Sequence, residues 1–422
     1  MKMYMAGIGG IGMSALAQLY LSKGYGVTGS DRGHSKTTDL LESKGVSIVY
    51  EQDGSHIEEG TDVLVYSDAL APEHPERVSA REKSVKELSY FQALGEESTH
   101  MKTVAVSGTH GKTTTTAMLA KMLIDTGVRP TVVVGSIVAE FGSNFVKGRD
   151  DLLVAEACEY RNHLLELSPE ILVVTNVEWD HTDWFKTEQE IIDVFVKAVA
   201  KVPAHGYVVI DAKAPHTKEV LKGCVATVID FSEIDVGEIL VPGEFNKQNA
   251  RAALCAARLL ASDQSEPELR NALAHFTGTW RRFEYKGKNK NGATVYDDYA
   301  HHPTEVKATL TALAQKHPDE KILLAFHPHL FSRTRDLLDD FAHAFGPATK
   351  VLIAPIYAAR EVDDGTMSSA LLAEKIKEQG VDAVAASFEE IQEAFSNASE
   401  DTVLMTMGAG NIYTIADAVV IK

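Results

Sequence analysis

The fold of this chain is decided by one stretch, Val104-Ala105-Val106-Ser107-Gly108-Thr109-His110-Gly111-Lys112-Thr113-Thr114-Thr115-Thr116. The β-branched run before Gly108 predicts a strand, and the apolar periodicity that starts at Ala117 predicts a helix. The loop between them has the setting of a phosphate-binding loop, in which backbone N–H groups face an anion. Lys112 would add positive charge, and the Thr113 hydroxyl suits Mg²⁺. The usual pattern has a further glycine where this chain has Val106, so an ordinary turn is the alternative.

Length and net charge indicate how many domains the chain has and which kinds of partner it does not bind. A chain of 422 residues is too long for a single hydrophobic core and suits two or three domains. Its net charge of −19 argues against nucleic acid and anionic membranes, since both bind clustered Lys and Arg. The three cysteines lie far apart without disulfide or metal-ligand spacing, and no apolar run is long enough for a membrane helix. We therefore expect a cytoplasmic protein that binds neither nucleic acid nor membrane.

A second glycine turn lies near the N-terminus, between a predicted strand and a predicted helix, at Gly7-Ile8-Gly9-Gly10-Ile11-Gly12-Met13. The next strand, Tyr25 to Gly29, ends in Ser30 and Asp31, where a Rossmann fold places the acid that binds a ribose. A further strand ends at Ser67. The pattern favours a unit that binds a nucleotide diphosphate and runs to a polar linker at 95–98. An NAD-dependent oxidoreductase is the alternative.

The central part of the chain supplies candidate ligands for metal and adenine. Glu156 ends a predicted buried strand, and in doubly wound sheets a carboxylate there faces the phosphate loop, so it is a candidate Mg²⁺ ligand or a surface acid. His181 follows the predicted strand from Ile171 to Thr175, as a metal ligand or a hydrogen-bonded surface residue. Asn246 and Asn249 lie on the first turn of a helix, where two amides suit an adenine edge. Helix capping by Asn246 is the alternative.

Two strand-to-helix junctions follow in the C-terminal part. After a predicted strand, Thr294 to Tyr296, two histidines precede Pro303, a typical first residue of a helix. After a second strand, Ile322 to Phe326, the guanidinium groups of Arg333 and Arg335 suit a carboxylate or a phosphate. A solvated basic turn is the alternative there. Later strands alternate with helices, which is again an α/β pattern.

Together these motifs resemble the Mur ligase family. The shared segments, in register along nearly the whole chain, are Gly7-Ile8-Gly9-Gly10-Ile11-Gly12-Met13, Gly108-Thr109-His110-Gly111-Lys112-Thr113-Thr114, Thr175-Asn176-Val177-Glu178 through Asp180-His181, Arg281-Arg282-Phe283-Glu284, Asp297-Asp298-Tyr299-Ala300-His301-His302-Pro303-Thr304-Glu305, and Pro328-His329 through Ser332-Arg333-Thr334. The family's phosphate loop also lacks the first glycine, which answers the objection raised by Val106. The resemblance implies an α/β fold of three domains: a Rossmann-like UDP-sugar-binding domain at 1–97, a central P-loop ATPase-type mononucleotide-binding domain at 98–277, and a C-terminal Rossmann-like domain at 278–422.

The activity that this resemblance implies is ATP-dependent amide formation in peptidoglycan precursor synthesis. The lactyl carboxylate of UDP-N-acetylmuramate would be phosphorylated to an acyl phosphate, which the amine of L-alanine would capture. A recycling ligase that adds a tripeptide to the same sugar nucleotide is the nearest alternative, and a binding-only relative without turnover is a third. ATP and Mg²⁺ are the implied cofactors.

The resemblance also assigns roles to residues. Those implied to bind ATP are Gly108, Thr109, His110, Gly111, Lys112, Thr113, Thr114, Asn246, Asn249, Arg282 and Asp298. Those implied to bind the UDP-sugar are Gly9, Gly10, Ile11, Gly12, Ser30, Asp31, Ser67 and His181. The implied metal ligands are Thr113, Glu156 and His181, and the implied catalytic residues are Lys112, His301 and Arg333, with His302 also placed near the incoming amino acid.

Three departures from the family pattern stand out. Phe245 lies where many relatives have a histidine before the adenine asparagine, and Leu330 lies where some have a further arginine. The span from Ile229 to Val241 is short, where relatives usually insert β-hairpins. We expect its shortness to spare the ATP loops and to bear on stability or association, with the chain a monomer or a weak homodimer. No residue decides among L-alanine, L-serine and glycine as acceptor.

Overall fold

A computed structural model of the protein describes residues 1–261 and 265–421. The first sheet has five parallel strands in the order β3-β2-β1-β4-β5. Its strands and the helices between them are β1 Lys2–Ala6, α1 Ile11–Ser22, β2 Gly26–Ser30, α2 Lys36–Ser43, β3 Ser47–Val49, β4 Val63–Tyr66, α3 Pro75–Glu82, β5 Lys86–Ser89 and α4 Tyr90–His100. The central strand β1 is buried along nearly its whole length, as expected for a sheet covered on both faces.

The second sheet has seven strands in the order β12-β11-β10-β6-β9-β7-β8, all parallel to their neighbours except β8. The strands are β6 Lys102–Ser107, β7 Thr131–Val138, β8 Ser143–Val146, β9 Leu152–Glu156, β10 Ile171–Val174, β11 Tyr207–Ile210 and β12 Thr227–Asp230. The helices of this part of the chain are α5 Lys112–Asp125, α6 Glu188–Lys201, α7 Thr217–Val220, α8 Glu244–Arg258 and α9 Glu266–Ala274, with a 3₁₀ helix at Tyr160–Glu166. No strand lies within 231–243, so the span predicted to be short carries no hairpin.

The third sheet has six strands in the order β13-β14-β18-β15-β16-β17, and only β13 is antiparallel to its neighbour. Its elements are β13 Glu284–Lys288, β14 Thr294–Asp298, α10 Pro303–Lys316, β15 Lys321–Phe326, α11 Phe331–Asp336, α12 Leu338–Ala342, β16 Lys350–Ile353, α13 Ser369–Glu378, β17 Asp382–Ala385, α14 Phe388–Asn397, β18 Thr402–Met407 and α15 Tyr413–Val419. Phe326, Phe341 and Phe345 pack in one apolar cluster of this sheet, and Ile391 and Phe395 belong to another. The three sheets confirm the predicted α/β class.

The chain divides into two compact units. The first contains the first two sheets, in Met1–Val177, Ile192–Val236 and Ala250–Leu273. The second contains the third sheet together with Glu178–Ile191 and Gly237–Asn249, in addition to Ala274–Lys422. Within the described residues, no helix is both long and apolar enough to cross a membrane.

The stretch 95–98, predicted as a linker, lies instead inside α4, which contacts β4 and β5 of the first sheet and β6 of the second. The helix begins at a capping box, in which Ser89 and Gln92 satisfy each other's backbone N–H groups. Its polar residues therefore continue a helix that joins two sheets. Gly95 lies where α4 passes the carbonyl oxygen of Glu166, because a Cβ atom there would be only 2.5 Å from that oxygen.

This close approach makes Gly95→Ala a test of the packing. Alanine normally stabilises a helix by ~1 kcal/mol relative to glycine. Here we expect the substitution to destabilise the protein by about 1–3 kcal/mol, because the backbone of Glu166 must move. The thermal unfolding midpoint should fall, whereas it should change little in the control Gly346→Ala, where an added Cβ would meet no atom within 4 Å. A Gly95→Ala midpoint at or above that of the parent would contradict the packing.

Candidate functional site

The predicted phosphate loop joins β6 to α5, and two glycines shape it. Gly108 has a φ of +132°, and a Cβ atom there would lie 2.0 Å from the Thr175 hydroxyl oxygen. Gly111 precedes α5 with a left-handed φ of 80°. The helix begins at Lys112, five residues before the predicted start, so the residues 112–116 are already helical. The loop thus has the strand, turn and helix N-terminus that anion binding requires, which favours the predicted phosphate loop over an ordinary turn.

The ammonium group of Lys112 is held inside this loop. Its Nζ donates to the carbonyl oxygens of Gly108 at 2.6 Å and Thr109 at 2.9 Å. It also pairs at 2.9 Å with Glu159, whose side chain is fully buried. Burial by itself lowers the pKa of Lys112, but the carboxylate of Glu159 outweighs it and raises the pKa above its ordinary value. Sequence reasoning left Glu159 without a role, although an acid three residues after Glu156 was a signal for it.

Two of the predicted metal ligands are in contact. The Thr113 hydroxyl donates to Glu156 Oε1 at 3.0 Å, and the Gly135 N–H donates to Oε2 of the same carboxylate at 2.7 Å. A hydroxyl and a carboxylate oxygen at the mouth of a phosphate loop are the oxygen ligands that Mg²⁺ prefers. These two residues therefore fit the metal. His181, the third predicted ligand, belongs to the second unit and stays a prediction.

Asn176, at the end of β10, fixes the far side of the phosphate loop. Its Oδ1 accepts from the His110 N–H at 2.9 Å, and its Nδ2 donates to the His110 carbonyl oxygen at 3.0 Å. The Thr175 hydroxyl donates to the same carbonyl. Both polar groups of the His110 backbone are thus used, so the motif after β10 positions the loop.

The N-terminal glycine turn gathers the predicted UDP-sugar residues of the first unit at the carboxyl ends of β1, β2 and β4. The remaining one, His181, belongs to the second unit, and its role in UDP-sugar binding stays a prediction. The Gly9 N–H donates to Asp31 Oδ2 at 2.7 Å, and the Ser30 carbonyl oxygen accepts from the N–H groups of Gly7 and Ile8. A Cβ atom on Gly7 would touch Ser67, and one on Gly12 would collide with the Tyr90 ring, so both glycines allow a close approach. Gly10 and Ile11 lie on the same turn as α1 begins.

In the second unit, the two predicted adenine-binding amides lie next to each other. Asn246 and Asn249 are both buried, on the first and second turns of α8, and Asn249 Nδ2 lies 3.4 Å from Asn246 Oδ1. Asn246 is the third residue of the helix, and its Nδ2 donates to the carbonyl oxygen of Pro242 at 2.7 Å. The alternative that Asn246 is the N-cap is therefore wrong, because Gly243 occupies the position before the helix.

Two adjacent arginines have different environments. Arg281 is buried and donates to Asp297 at 2.7 Å and to the carbonyl oxygens of Gly408 at 2.6 Å and Gly410 at 2.9 Å. Arg282 is half-buried, with its guanidinium 5.0 Å from the centre of the Tyr299 ring. Sequence reasoning assigned Arg282 and missed the anchoring role of Arg281.

Asp298, predicted to contact the nucleotide, lies at the end of β14 and hydrogen-bonds to the turn that follows Arg281 and Arg282. Its Oδ2 accepts from the Phe283 N–H and its Oδ1 from the Ala300 N–H, both at 2.7 Å. Burial raises the pKa of Asp298 to about 6, although the nearby Arg282 and the two N–H groups oppose the shift. The carboxyl group therefore loses its proton at a higher pH than an exposed aspartate does.

The two histidines before α10 use their ring nitrogens differently. His302 is the N-cap: its Nδ1 accepts from the Thr304 N–H at 3.3 Å, and its Nε2 lies 3.2 Å from the Trp179 carbonyl oxygen. A carbonyl only accepts, so the neutral ring has its hydrogen on Nε2 and both nitrogens are occupied. His301 Nδ1 lies 3.0 Å from the Tyr299 carbonyl oxygen, which leaves the lone pair on Nε2. Burial lowers the pKa of His301 to about 4.

Arg333 is buried, with 2% of its surface exposed, so the alternative of a solvated basic turn is wrong for it. Its Nε donates to Asp180 Oδ1 at 2.7 Å, and its Nη1 to His329 Nδ1 at 3.0 Å. Burial opposes ionisation of Asp180, but the Arg333 charge holds the pKa of that carboxyl well below its usual range. Burial, with the neighbouring His301 and Arg333, lowers the pKa of His329 to about 2. Sequence reasoning assigned Arg333 but neither Asp180 nor His329.

Variants of the Lys112–Glu159 pair test its effect on stability separately from its effect on activity. We expect Lys112→Met to destabilise the protein by about 3–5 kcal/mol, because it leaves a buried carboxylate unpaired. The double variant Lys112→Met/Glu159→Gln should regain much of the lost thermal midpoint, because both charges are then removed. Neither variant should release ADP at a rate near that of the parent. A stable Lys112→Met protein, or a double variant less stable than it, would contradict the pairing.

Family comparisons agree with this geometry. Three family models match the chain: the catalytic domain of the Mur ligase family at residues 2–101, the Mur ligase middle domain at 106–235, and the glutamate ligase domain of Mur ligases at 281–410. The chain is 37% identical to UDP-N-acetylmuramate–L-alanine ligase of Clostridium acetobutylicum, over 99% of this chain and 96% of the relative. It is also 37% identical to the ligase of that name from Desulfitobacterium hafniense, over 100% of this chain and 99% of the relative.

Solved structures give the same picture. The crystal structure of UDP-N-acetylmuramate–alanine ligase from Thermotoga maritima superposes with a TM-score of 0.80 at 27% identity, covering 99% of this chain and 98% of that one. A murein peptide ligase from Psychrobacter arcticus has the same fold, with a TM-score of 0.74 at 21% identity and coverage of 99% and 98%. On its three matched domains and its full-length relatives, the chain belongs to the Mur ligase family.

Proposed function

We propose that this protein is an ATP-dependent ligase that joins L-alanine to the lactyl carboxylate of UDP-N-acetylmuramate in peptidoglycan precursor synthesis. The observation that carries the proposal is the full-length similarity to two relatives of that name. The phosphate loop with Lys112, Thr113 and Glu156 supplies the chemistry that such a reaction needs. Because ATP and the sugar nucleotide are cytoplasmic metabolites, we place the reaction in the cytoplasm.

A carboxylate does not react with an amine unless it is activated, because its carbon is a poor electrophile. Phosphorylation of the lactyl carboxylate by ATP gives an acyl phosphate, and the amine then displaces inorganic phosphate through a tetrahedral intermediate. Lys112 and the N–H groups at the start of α5 would neutralise the charge of the transferring phosphoryl group. Thr113 and Glu156 would hold one Mg²⁺, which when bound offsets phosphate charge, and the family resemblance implies a second Mg²⁺ with Glu156 and His181 as ligands.

Nucleotide and sugar would be held by the remaining predicted residues. Asn246 and Asn249 would contact adenine, and Arg282 and Asp298 the rest of ATP, while the turn from Gly9 to Gly12 with Ser30, Asp31 and Ser67 would hold the UDP-sugar. The turn suits a diphosphate because three of its four residues are glycine and it opens a helix. An NAD-dependent oxidoreductase would leave the second phosphate loop without a role.

The amine must lose a proton before or as it attacks the acyl phosphate. We assign this proton to His301, because its Nε2 has the lone pair, whereas both nitrogens of His302 are used in capping α10. His329 Nδ1 accepts from Arg333 and its pKa is lower still. Arg333 would act by holding Asp180 and His329 in place.

The proposal is tested by ADP release in the presence of ATP, Mg²⁺ and UDP-N-acetylmuramate, with either L-alanine or the tripeptide L-alanyl-γ-D-glutamyl-meso-diaminopimelate added. We expect ADP and a new UDP-linked product with L-alanine. Product with the tripeptide alone would identify the recycling ligase instead. Nucleotide binding without turnover on either acceptor would refute a ligase.

The same substitution at two neighbouring histidines tests the proton acceptor. We expect His301→Gln to lower kcat by about 100-fold or more, the usual contribution of a general base. His302→Gln should stay within about tenfold of the parent, because an amide replaces one donor and one acceptor of a cap. Since the pKa of His301 is about 4, its imidazole is neutral at pH 6–8, and kcat/KM should show no loss from this group until the pH falls toward 5. A larger loss in His302→Gln would reverse the assignment.

A further inference from the structure

The proposed reaction requires two substrates to be aligned, although each would bind to a different sheet of the first unit. This inference rests on the proposed function, since it concerns that alignment. The sugar nucleotide would bind where α1 begins, and ATP would bind where α5 begins. Phosphoryl transfer tolerates little misplacement, because an error of about 1 Å can lower a rate about 100-fold. A contact that joins the two sheets close to these helix starts is therefore a candidate for setting the alignment.

Such a contact exists between α1 and the hairpin of β7 and β8. Asn144 in β8 is 1% exposed, and its Nδ2 donates to the carbonyl oxygen of Ile11 and, at 2.9 Å, to the Ser14 hydroxyl. Ile11 is the first residue of α1 and directly follows Gly10. Because a carbonyl oxygen only accepts, the bond to Ile11 identifies which end of the amide is the nitrogen. Asn144 therefore holds the residue at which the predicted UDP-sugar turn becomes a helix.

A second buried amide completes this contact. Gln18 lies about two turns further along α1, and its Nε2 donates to Asn144 Oδ1 at 3.1 Å and to the Ser14 carbonyl oxygen at 3.2 Å. Its Oε1 accepts from the Ser143 hydroxyl at 3.4 Å. All four N–H donors of the two amides are thus paired, and both side chains are buried. A satisfied network of this kind fixes the position of α1 on the hairpin, because a shift would leave buried polar groups unpaired.

The other strand of the same hairpin contacts the predicted metal ligand. In β7, the Gly135 N–H donates to Glu156 Oε2 at 2.7 Å. Val133 of β7 lies opposite Phe145 of β8, so Gly135 and Asn144 each lie within two residues of this cross-strand pair. The hairpin is therefore bonded to the start of α1 through Asn144 and to the side of the phosphate loop through Glu156, whose Oε1 accepts from Thr113.

We propose that Asn144 is a positioning residue that fixes the start of α1 relative to the phosphate loop and so aligns the lactyl carboxylate with the γ-phosphate of ATP. It contacts neither substrate, because its amide is used by Ile11, Ser14 and Gln18. Without it, the UDP-sugar turn keeps its own bond from Gly9 to Asp31, and the phosphate loop keeps its bonds to Lys112. Loss of Asn144 therefore lowers the rate of phosphoryl transfer more than the affinity for either substrate.

The test compares Asn144→Ala with the parent protein for rate and for binding. The rate of ADP formation is measured in a single turnover, with enzyme in excess over ATP and with saturating UDP-N-acetylmuramate, L-alanine and Mg²⁺. Calorimetry gives the dissociation constants of UDP-N-acetylmuramate and of ATP with Mg²⁺. We expect the single-turnover rate to fall about 30-fold or more, because the start of α1 is no longer held, while both dissociation constants stay within about threefold of the parent values.

Three further variants separate alignment from packing. Gln18→Met is the matched control, because Gln18 belongs to the same buried network but does not bond to Ile11. We expect it to lower the thermal unfolding midpoint about as much as Asn144→Ala does and to keep the single-turnover rate within about threefold of the parent. Asn144→Asp keeps the shape and the acceptor for Gln18 but lacks both donors when ionised, so it should reproduce the rate loss. Lys147→Met removes a bond from the same hairpin to the Ser22 carbonyl oxygen, at the far end of α1, and should leave the rate unchanged.

Three results would overturn the inference: an unchanged rate in Asn144→Ala, an equal rate loss in Gln18→Met, or a rise of more than about threefold in either dissociation constant of Asn144→Ala. If Asn144→Ala fails to fold, the rate and the two dissociation constants of Asn144→Asp decide the question in its place. Failure of the proposed function looks different, because the parent protein would then form no ADP in response to UDP-N-acetylmuramate and L-alanine at all.

Discussion

The loops that carry the proposed chemistry depend on charged pairs that are withdrawn from water. Lys112 is paired with Glu159 in the first unit, and Arg333 with Asp180 in the second. Such pairs are favourable only when the remaining donors are also satisfied, because desolvation of both ions is costly. Here backbone carbonyl oxygens and His329 accept those donors. The pairs therefore fix the position of loops more than they add net stability.

Glycines also help to position these loops, because they let the backbone lie close to a neighbouring side chain. Gly9, Gly108 and Gly135 each lie so close to a polar side chain that an added Cβ atom would collide with it. At Gly9 and Gly135 this closeness allows the backbone N–H to bind a carboxylate directly, that of Asp31 and that of Glu156. A hydrogen bond from a glycine N–H to a carboxylate is thus present both in the predicted UDP-sugar turn and at the predicted metal ligand.

In the second unit, neighbouring residues of one type have separate tasks. Arg281 is buried by its bonds to Asp297 and two carbonyl oxygens, while Arg282 lies over an aromatic ring. His302 caps α10, while His301 bonds the Tyr299 carbonyl oxygen through Nδ1 and keeps the lone pair on Nε2. Consecutive side chains leave the backbone in different directions, so one anchors the turn that presents the other. The same division of tasks is present in both pairs.

By itself, the sequence determined the α/β class, the two glycine turns between strand and helix, the short span before α8 and the membership of a ligase family. These features are local, because glycine spacing, β-branched runs and helix-start residues are set by near neighbours in the chain. Only the tertiary structure decided that Glu159 neutralises Lys112, that His302 is a cap, and that Arg333 is committed to Asp180, 153 residues away. Such pairings depend on which strand ends become adjacent when the sheets form, and no local pattern records that adjacency.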